Sequence, residues 1–216
     1  MDINQIKALL FDMDGVLIDS MRYHTKSFLQ AFRKYDVKIK EEKIYNLEGK
    51  EDIYIIKDIL EQKNLENLDS KKIAKERREI FNQIERTKVF DGMPELLKKI
   101  TKEYELSVVS GSTRRNLNNF VNKFYPNIFD CLVSGDDLSN QKPHPEPFEK
   151  CVKGVNIEKD EAIAIENAPL GVESVKNAEL ACIAVATYVQ PQSLKEADIV
   201  FENHKELKAY LKNNFL

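Results

Sequence analysis

Nowhere in the 216-residue sequence does an uninterrupted apolar run approach the roughly 20 residues a membrane-spanning helix needs. The opening MDINQIKALLF has no charged stretch leading into a long apolar segment, so no secretory leader is expected. A basic excess is missing as well. Lys plus Arg number 33 against 36 Asp plus Glu, a net charge of -3, and no basic stripe points to a nucleic-acid partner. Cysteine is sparse: Cys131, Cys151 and Cys182 are odd in number and scattered without metal-ligand spacing, which speaks against a disulfide framework and a zinc site. A reducing cytoplasm is the expected compartment. Internal repeats and low-complexity linkers are also absent.

What the chain does contain is an ordinary globular balance, 42% hydrophobic and 32% charged, enough for a core plus a small accessory domain. Short apolar runs at Ala8–Phe11, Leu106–Val109, Cys131–Val133, Ala162–Ile165, Ile183–Ala186 and, more weakly, Ile199–Phe201 alternate with helical patterns. Continuous rather than alternating apolarity suits parallel strands buried on both faces. Strands alternating with helices predict an α/β fold with a doubly wound, mainly parallel sheet. A helix is expected over Pro94–Tyr104, with the proline in the first turn, where its missing N–H costs nothing. Residues 18–88 break the alternation: their periodicity is helical throughout. Within Ser70–Lys88, Ile73, Ile80, Phe81 and Ile84 share a face, and the Lys and Arg residues are read as its solvated side.

Chemistry-bearing residues gather where strands end. The first run leads into Phe11-Asp12-Met13-Asp14-Gly15-Val16. Ligands of open parallel sheets sit outside the carboxyl ends of strands, so these carboxylates fall at the expected edge, and Gly15 permits a sharp exit. Taken alone, Asp12 and Asp14 read equally well as turn or cap residues. The second run ends in Val109-Ser110-Gly111-Ser112 before a helical pattern, a hydroxyl and backbone amides that can cradle an anion, or simply an N-cap. Lys142 is framed by prolines in Gln141-Lys142-Pro143-His144-Pro145, a rigid setting that suggests an aimed ammonium and a phosphate oxygen as its target. The fourth run ends in Glu166-Asn167-Ala168-Pro169-Leu170-Gly171.

In this order, FDMDGV, VVSGS, QKPHP and IENAPLG resemble the four signatures of the haloacid dehalogenase superfamily, in its phosphatase and β-phosphoglucomutase-like branch, over Ile6 to about Val185. The resemblance implies a Rossmann-like core, residues 1–17 and 89–216, with an α-helical cap, residues 18–88, hinged near Asp19 and Ser20. It implies Asp12 as nucleophile toward phosphorus, through an aspartyl phosphate, and Asp14 as general acid and then base. Ser110, Gly111 and Lys142 would hold phosphoryl oxygens. Mg2+ would be bound by Asp12, the Asp14 carbonyl and the Glu166-Asn167 corner.

Relatives of this kind often carry two acids where this chain has Glu166-Asn167. The neutral Asn oxygen still suits a hard cation. Either Asn167 ligates directly with Glu166 assisting through water, or Glu166 moves inward; the first arrangement is favoured. Glu179 stands where relatives usually have Gly, and its backbone is expected to avoid the left-handed region. Three further residues are candidates for substrate contact: His24, Lys50 and Arg114. His24 is read either as a histidine satisfied by a backbone carbonyl or as a partner of Asp14. Asp52 replaces the arginine that mutases commonly present to a second phosphate, and its charge would repel a doubly phosphorylated sugar. The expected partner is therefore a small phosphorylated metabolite, handled by a monomer or small homo-oligomer without membrane or nucleic acid. A phosphomutase is the alternative, and a catalytically silent binding protein of the same fold is a third reading. A haloacid dehalogenase fits less well, because Asp14 and Glu166 are superfluous without a metal.

Overall fold

A computed structural model describes residues 3–216; of the segment 1–17, Met1 and Asp2 lie outside the described residues. Six strands form one all-parallel sheet: β1 (Ala8–Asp12), β2 (Glu105–Val109), β3 (Cys131–Val133), β4 (Ala162–Glu166), β5 (Ala181–Val185) and β6 (Ile199–Phe201). Their spatial order is β3-β2-β1-β4-β5-β6. This is the doubly wound arrangement, and the winding reverses between β1 and β4, where a ligand crevice is expected. The strands match the apolar runs to within two residues at each end, because a strand covered on both faces has no polar side to blur its pattern.

Alternation along β1 shows how both faces are used. Leu9 and Phe11 enter an apolar cluster on one side, while Ala8 and Leu10 enter a second cluster on the other. The first cluster is covered by α5 (Met93–Ile100), α6 (Arg114–Phe124) and α9 (His204–Asn214), the second by α7 (Glu146–Gly154) and α8 (Pro169–Asn177). Among the described residues no helix is long and apolar enough to cross a membrane.

Between β1 and α5 lie the four helices α1 (Met21–Arg33), α2 (Glu41–Tyr45), α3 (Asp52–Gln62) and α4 (Ser70–Ile84). They enclose a separate apolar cluster that includes Phe28, Phe32, Ile56, Ile59 and Ile73. Asp69 caps α4 by accepting from the amides of Lys71 and Lys72, satisfying two groups the helix cannot. The chain enters and leaves this insertion side by side: Ile18 bridges Val89, and the Asp19 amide donates to the Lys88 carbonyl at 2.8 Å.

Three expectations from sequence need correction. α4 ends at Ile84 rather than Lys88, and α5 spans Met93–Ile100, its last turn giving way to the turn that feeds β2. Glu179 does adopt the left-handed conformation, with φ of 61°. The other non-glycine residues with positive φ are Asp or Asn, whose short side chains tolerate it. Glu179 pays in local strain for the tight return from α8 to β5.

Candidate active site

The four signatures converge at the carboxyl edge of the sheet. Parallel register sets Asp12 beside Val109 and Phe11 beside Ile165, so Asp12, Ser110 and Glu166 leave adjacent strands at one level. Lys142 arrives from the loop before α7, only 4% exposed, and donates to Asp12 Oδ1 and Glu166 Oε1, both at 2.6 Å. Glu166 Oε2 accepts from the Asn167 and Ala168 amides, at 2.8 and 3.2 Å, just before the start of α8. Both Glu166 oxygens are thus engaged.

Asn167 differs from its neighbour. Its amide nitrogen donates to Glu48, at 3.2 and 3.1 Å from the two carboxylate oxygens, whereas its Oδ1 is buried with no hydrogen-bond partner. Gly15, at φ 91°, lets the chain pass close over this amide: a Cβ there would meet Asn167 Cγ at 2.8 Å. Ser110 Oγ accepts from the Ser112 amide at 3.1 Å, which leaves its own O–H free to donate.

Electrostatics follow from burial. Asp12 is pushed well above the usual carboxylate range by burial, with Glu166 and Asp14 adding to the rise and Lys142 opposing it. Burial alone would lower the Lys142 ammonium, but Asp12 and Glu166 outweigh it and hold the group above its ordinary value. Asp14 runs the other way. Burial would raise it, yet His24 and Ser20, both within bonding reach, bring it below the ordinary range.

His24 Nε2 stands 3.5 Å from Asp14 Oδ1, and its Nδ1 contacts Arg77 Nη2. A guanidinium has donors only, so Nδ1 must accept and Nε2 carries the proton that faces Asp14. The backbone-carbonyl reading of His24 is therefore replaced by side-chain contacts with Asp14 and Arg77. Arg77 itself is 4% exposed, pairs with Asp52 at 2.9 Å and lies over the Phe28 and Phe81 rings. It corrects the reading of every charge in Ser70–Lys88 as solvated. Asp52, expected to repel a second phosphate, has its charge met by Arg77.

Above this floor lies a cavity of about 490 Å³, lined from below by Asp12, Asp14 and the Gly111–Thr113 loop, and from above by residues of the insertion such as His24, Arg77 and Phe81. Lys50 lines it, but its ammonium is held by Asp58 at 2.7 Å. Arg114 does not face the cavity. Its main-chain amide bonds Asp136 at 2.8 Å and its guanidinium pairs with Asp137, an acidic loop more than twenty residues away that local sequence does not reveal.

Sequence reasoning passed over Glu48, which reaches down from the insertion. It is 8% exposed, and burial together with Asp12, Glu166 and Asp14 pushes its carboxyl well above the ordinary range. Among the described residues no three Asp, Glu, His or Cys side chains form a ready-made cage for a metal ion. The donor set nevertheless fits a hard divalent cation: Glu48, close enough to Asp12 for their charges to interact, is bonded to Asn167, whose Oδ1 is buried and unpartnered.

Comparison with known proteins decides the family. Residues 9–185 match the family model described as Haloacid dehalogenase-like hydrolase. The chain belongs to the haloacid dehalogenase-like hydrolases. A solved structure from Bacteroides vulgatus, provisionally described as a beta-phosphoglucomutase, is 30% identical and superposes with a TM-score of 0.87 over 97% of this chain and 90% of that one. The phosphorylated carbohydrates phosphatase of Thermotoga maritima is 26% identical over 179 residues, 80% of this chain and 82% of that protein. The pyrophosphatase PpaX of Listeria monocytogenes serotype 4b is 27% identical over 220 residues, 97% of this chain and 98% of that protein. Like its haloacid dehalogenase-like relatives, the chain is a phosphoester-cleaving enzyme.

Proposed function

We propose that the chain is a magnesium-dependent phosphatase of a small phosphomonoester, such as a sugar phosphate or phosphoglycolate, with Asp12 as covalent nucleophile. The observation that carries this reading is the meeting of Asp12, Ser110, Lys142 and Glu166 at one point of the sheet edge, under a cavity closed by the helical insertion. The insertion acts as the cap, keeping water from the site and contacting the leaving group.

An Asp12 carboxylate oxygen attacks phosphorus, the bond to the leaving oxygen breaks, and an aspartyl phosphate forms. Asp14, held below the ordinary carboxylate range, rests ionised and must take up a proton before it can act as an acid. For the acid step Asp14 carries a proton taken up from solvent and gives it to the leaving oxygen, then takes one from the water that releases phosphate, while the His24 Nε2–H faces its carboxylate and orients it. Lys142 and the Ser110 hydroxyl hold the transferring phosphoryl oxygens. Asp12, the Asp14 main-chain carbonyl and Asn167 would hold the cation, with Glu166, whose oxygens are taken, assisting indirectly. When bound, the cation offsets the repulsion between an anionic nucleophile and an anionic substrate.

Hydrolysis is favoured over mutase chemistry because two of the three insertion cations lining the cavity, Arg77 and Lys50, are already paired with Asp52 and Asp58, and the third, Arg78, is an exposed residue. A second phosphate gripped by Arg77 or Lys50 would have to displace a carboxylate. Phosphate release from para-nitrophenyl phosphate, with and without magnesium, tests the reading. Asp12→Asn should abolish it, and undiminished turnover in that variant refutes the assignment. A panel of sugar phosphates, phosphoglycolate and pyrophosphate then identifies the substrate. Glucose 6-phosphate made from β-glucose 1-phosphate and a bisphosphate primer, without free phosphate, would turn the conclusion toward the mutase. No turnover of any compound would turn it toward the silent binding protein.

A further inference from the structure

The segment between α2 and α3 touches the core at several points. Tyr45 stacks on Tyr188 with ring centroids 5.3 Å apart and planes within 6°. Glu51 accepts from Gln141 at 2.7 Å. Gly49 lies against the Lys142 stem, where an added Cβ would come within 3.2 Å. In the middle of these contacts Glu48 is buried and bonded to Asn167.

Two physical facts make Glu48 more than a docking contact. A carboxylate has about four acceptor sites, and a single neutral amide is poor compensation for burying its charge. The second is local charge. Asp12, Asp14, Glu48 and Glu166 bring four carboxylates together, and the ammonium that pairs with two of them is Lys142. Arg77 is paired with Asp52, and the same guanidinium donates to His24 Nδ1. A buried group of charges this unbalanced fits a dication. The amide oxygen of Asn167 is also unpartnered beside it, at the position where an acid would have served from the core.

Resting on the magnesium-dependent reading above, we infer that Glu48 supplies, from the cap, the carboxylate that Asn167 does not, so that the cation site is complete only when the cap is closed. Cation binding and cap closure are then one linked equilibrium, and each strengthens the other by the same factor.

Titration calorimetry of magnesium into the substrate-free enzyme, together with hydrogen exchange of residues 45–51, tests this. Glu48→Gln preserves size and the hydrogen bond but removes the charge. It should weaken magnesium binding by about tenfold or more, in the range seen for lost metal-site partners, and magnesium should no longer slow exchange in 45–51. Adding Asn167→Asp to that variant returns the carboxylate to the core. Affinity should recover while the cation-dependent protection of 45–51 stays lost. Should Glu48→Gln fold poorly, Asn167→Asp alone serves: without cation, like charges should loosen 45–51, and magnesium should restore its protection. Magnesium affinity within about twofold of wild type in Glu48→Gln, or protection that ignores magnesium in Asn167→Asp, overturns the inference. Failure of the wild-type enzyme to bind magnesium at all would instead strike the proposed function.

Discussion

Lys142→Met is the most informative single change in the core. The lysine is buried, makes 2.6 Å bonds to two carboxylates and lies 5.1 Å above the Phe148 ring, so methionine fills its space without its charge. Removing one partner from a buried ionic cluster typically costs about 3–5 kcal/mol, because the remaining charge is stranded. Glu166 keeps two main-chain donors, so Asp12 takes most of the loss, and about 3 kcal/mol is expected. With a urea slope of about 2–3 kcal/mol per molar, the unfolding midpoint should fall by about 1 M or more. The sign of the pH dependence follows from Asp12. Burial already raises its pKa with Lys142 opposing, and the variant raises it further. A group with a raised folded pKa contributes stability below its unfolded value and loses it as pH climbs through the folded one. The deficit of the variant should therefore be small near about pH 4 and complete above neutrality. Urea unfolding followed by circular dichroism in EDTA measures this. A deficit below about 1 kcal/mol at neutral pH, or one that does not change with pH, would refute the charge-stranding account.

Gly171 packs so closely on Glu166 that a Cβ there would overlap the carboxylate, which cannot retreat without leaving Lys142 and its amide donors. Gly171→Ala should cut phosphate release by about tenfold or more while far-UV dichroism stays native; undiminished turnover would show that Glu166 is free to move. His204, stacked on Phe90, is brought down to about 4, chiefly by burial, so below about pH 6.5 the unfolded chain takes a proton that the native state refuses. That stability is present above pH 6.5 and lost as pH falls to about 4, up to about 3 kcal/mol, and comparison of His204→Gln with wild type in urea across this range should show the slope disappear. Glu179→Gly should raise stability by about 0.5–1 kcal/mol in the same assay by relieving the left-handed backbone, net of the glycine's greater unfolded entropy.

The sheet was legible because its strands are covered on both faces and read as unbroken apolar runs; the carboxyl-edge residues followed from where those runs stop. Arg77 was legible in principle. It lies four residues after Ile73 and three before Ile80, on the buried stripe of α4, and an arginine inside an apolar stripe signals a paired guanidinium rather than a wet one. Glu48 was not legible, since a glutamate ahead of Gly49 in a polar turn looks like any solvated loop residue until the helical insertion is set on the sheet. Arg114 failed for a related reason: its partners, Asp136 and Asp137, come from a distant loop. Glu179 shows the limit of substitution logic, because backbone closure between α8 and β5 dictates φ whatever side chain is present.

The four-helix insertion keeps an apolar cluster of its own and joins the sheet through one adjoining pair of crossings at Ile18 and Val89. Its interior can therefore be recut by mutation without disturbing the strands that carry Asp12 and Glu166. Selectivity and reactivity are free to drift at different speeds in descendants of this chain. The short stretch from Tyr45 to Glu51 is the place where such drift would be felt at once by the chemistry below.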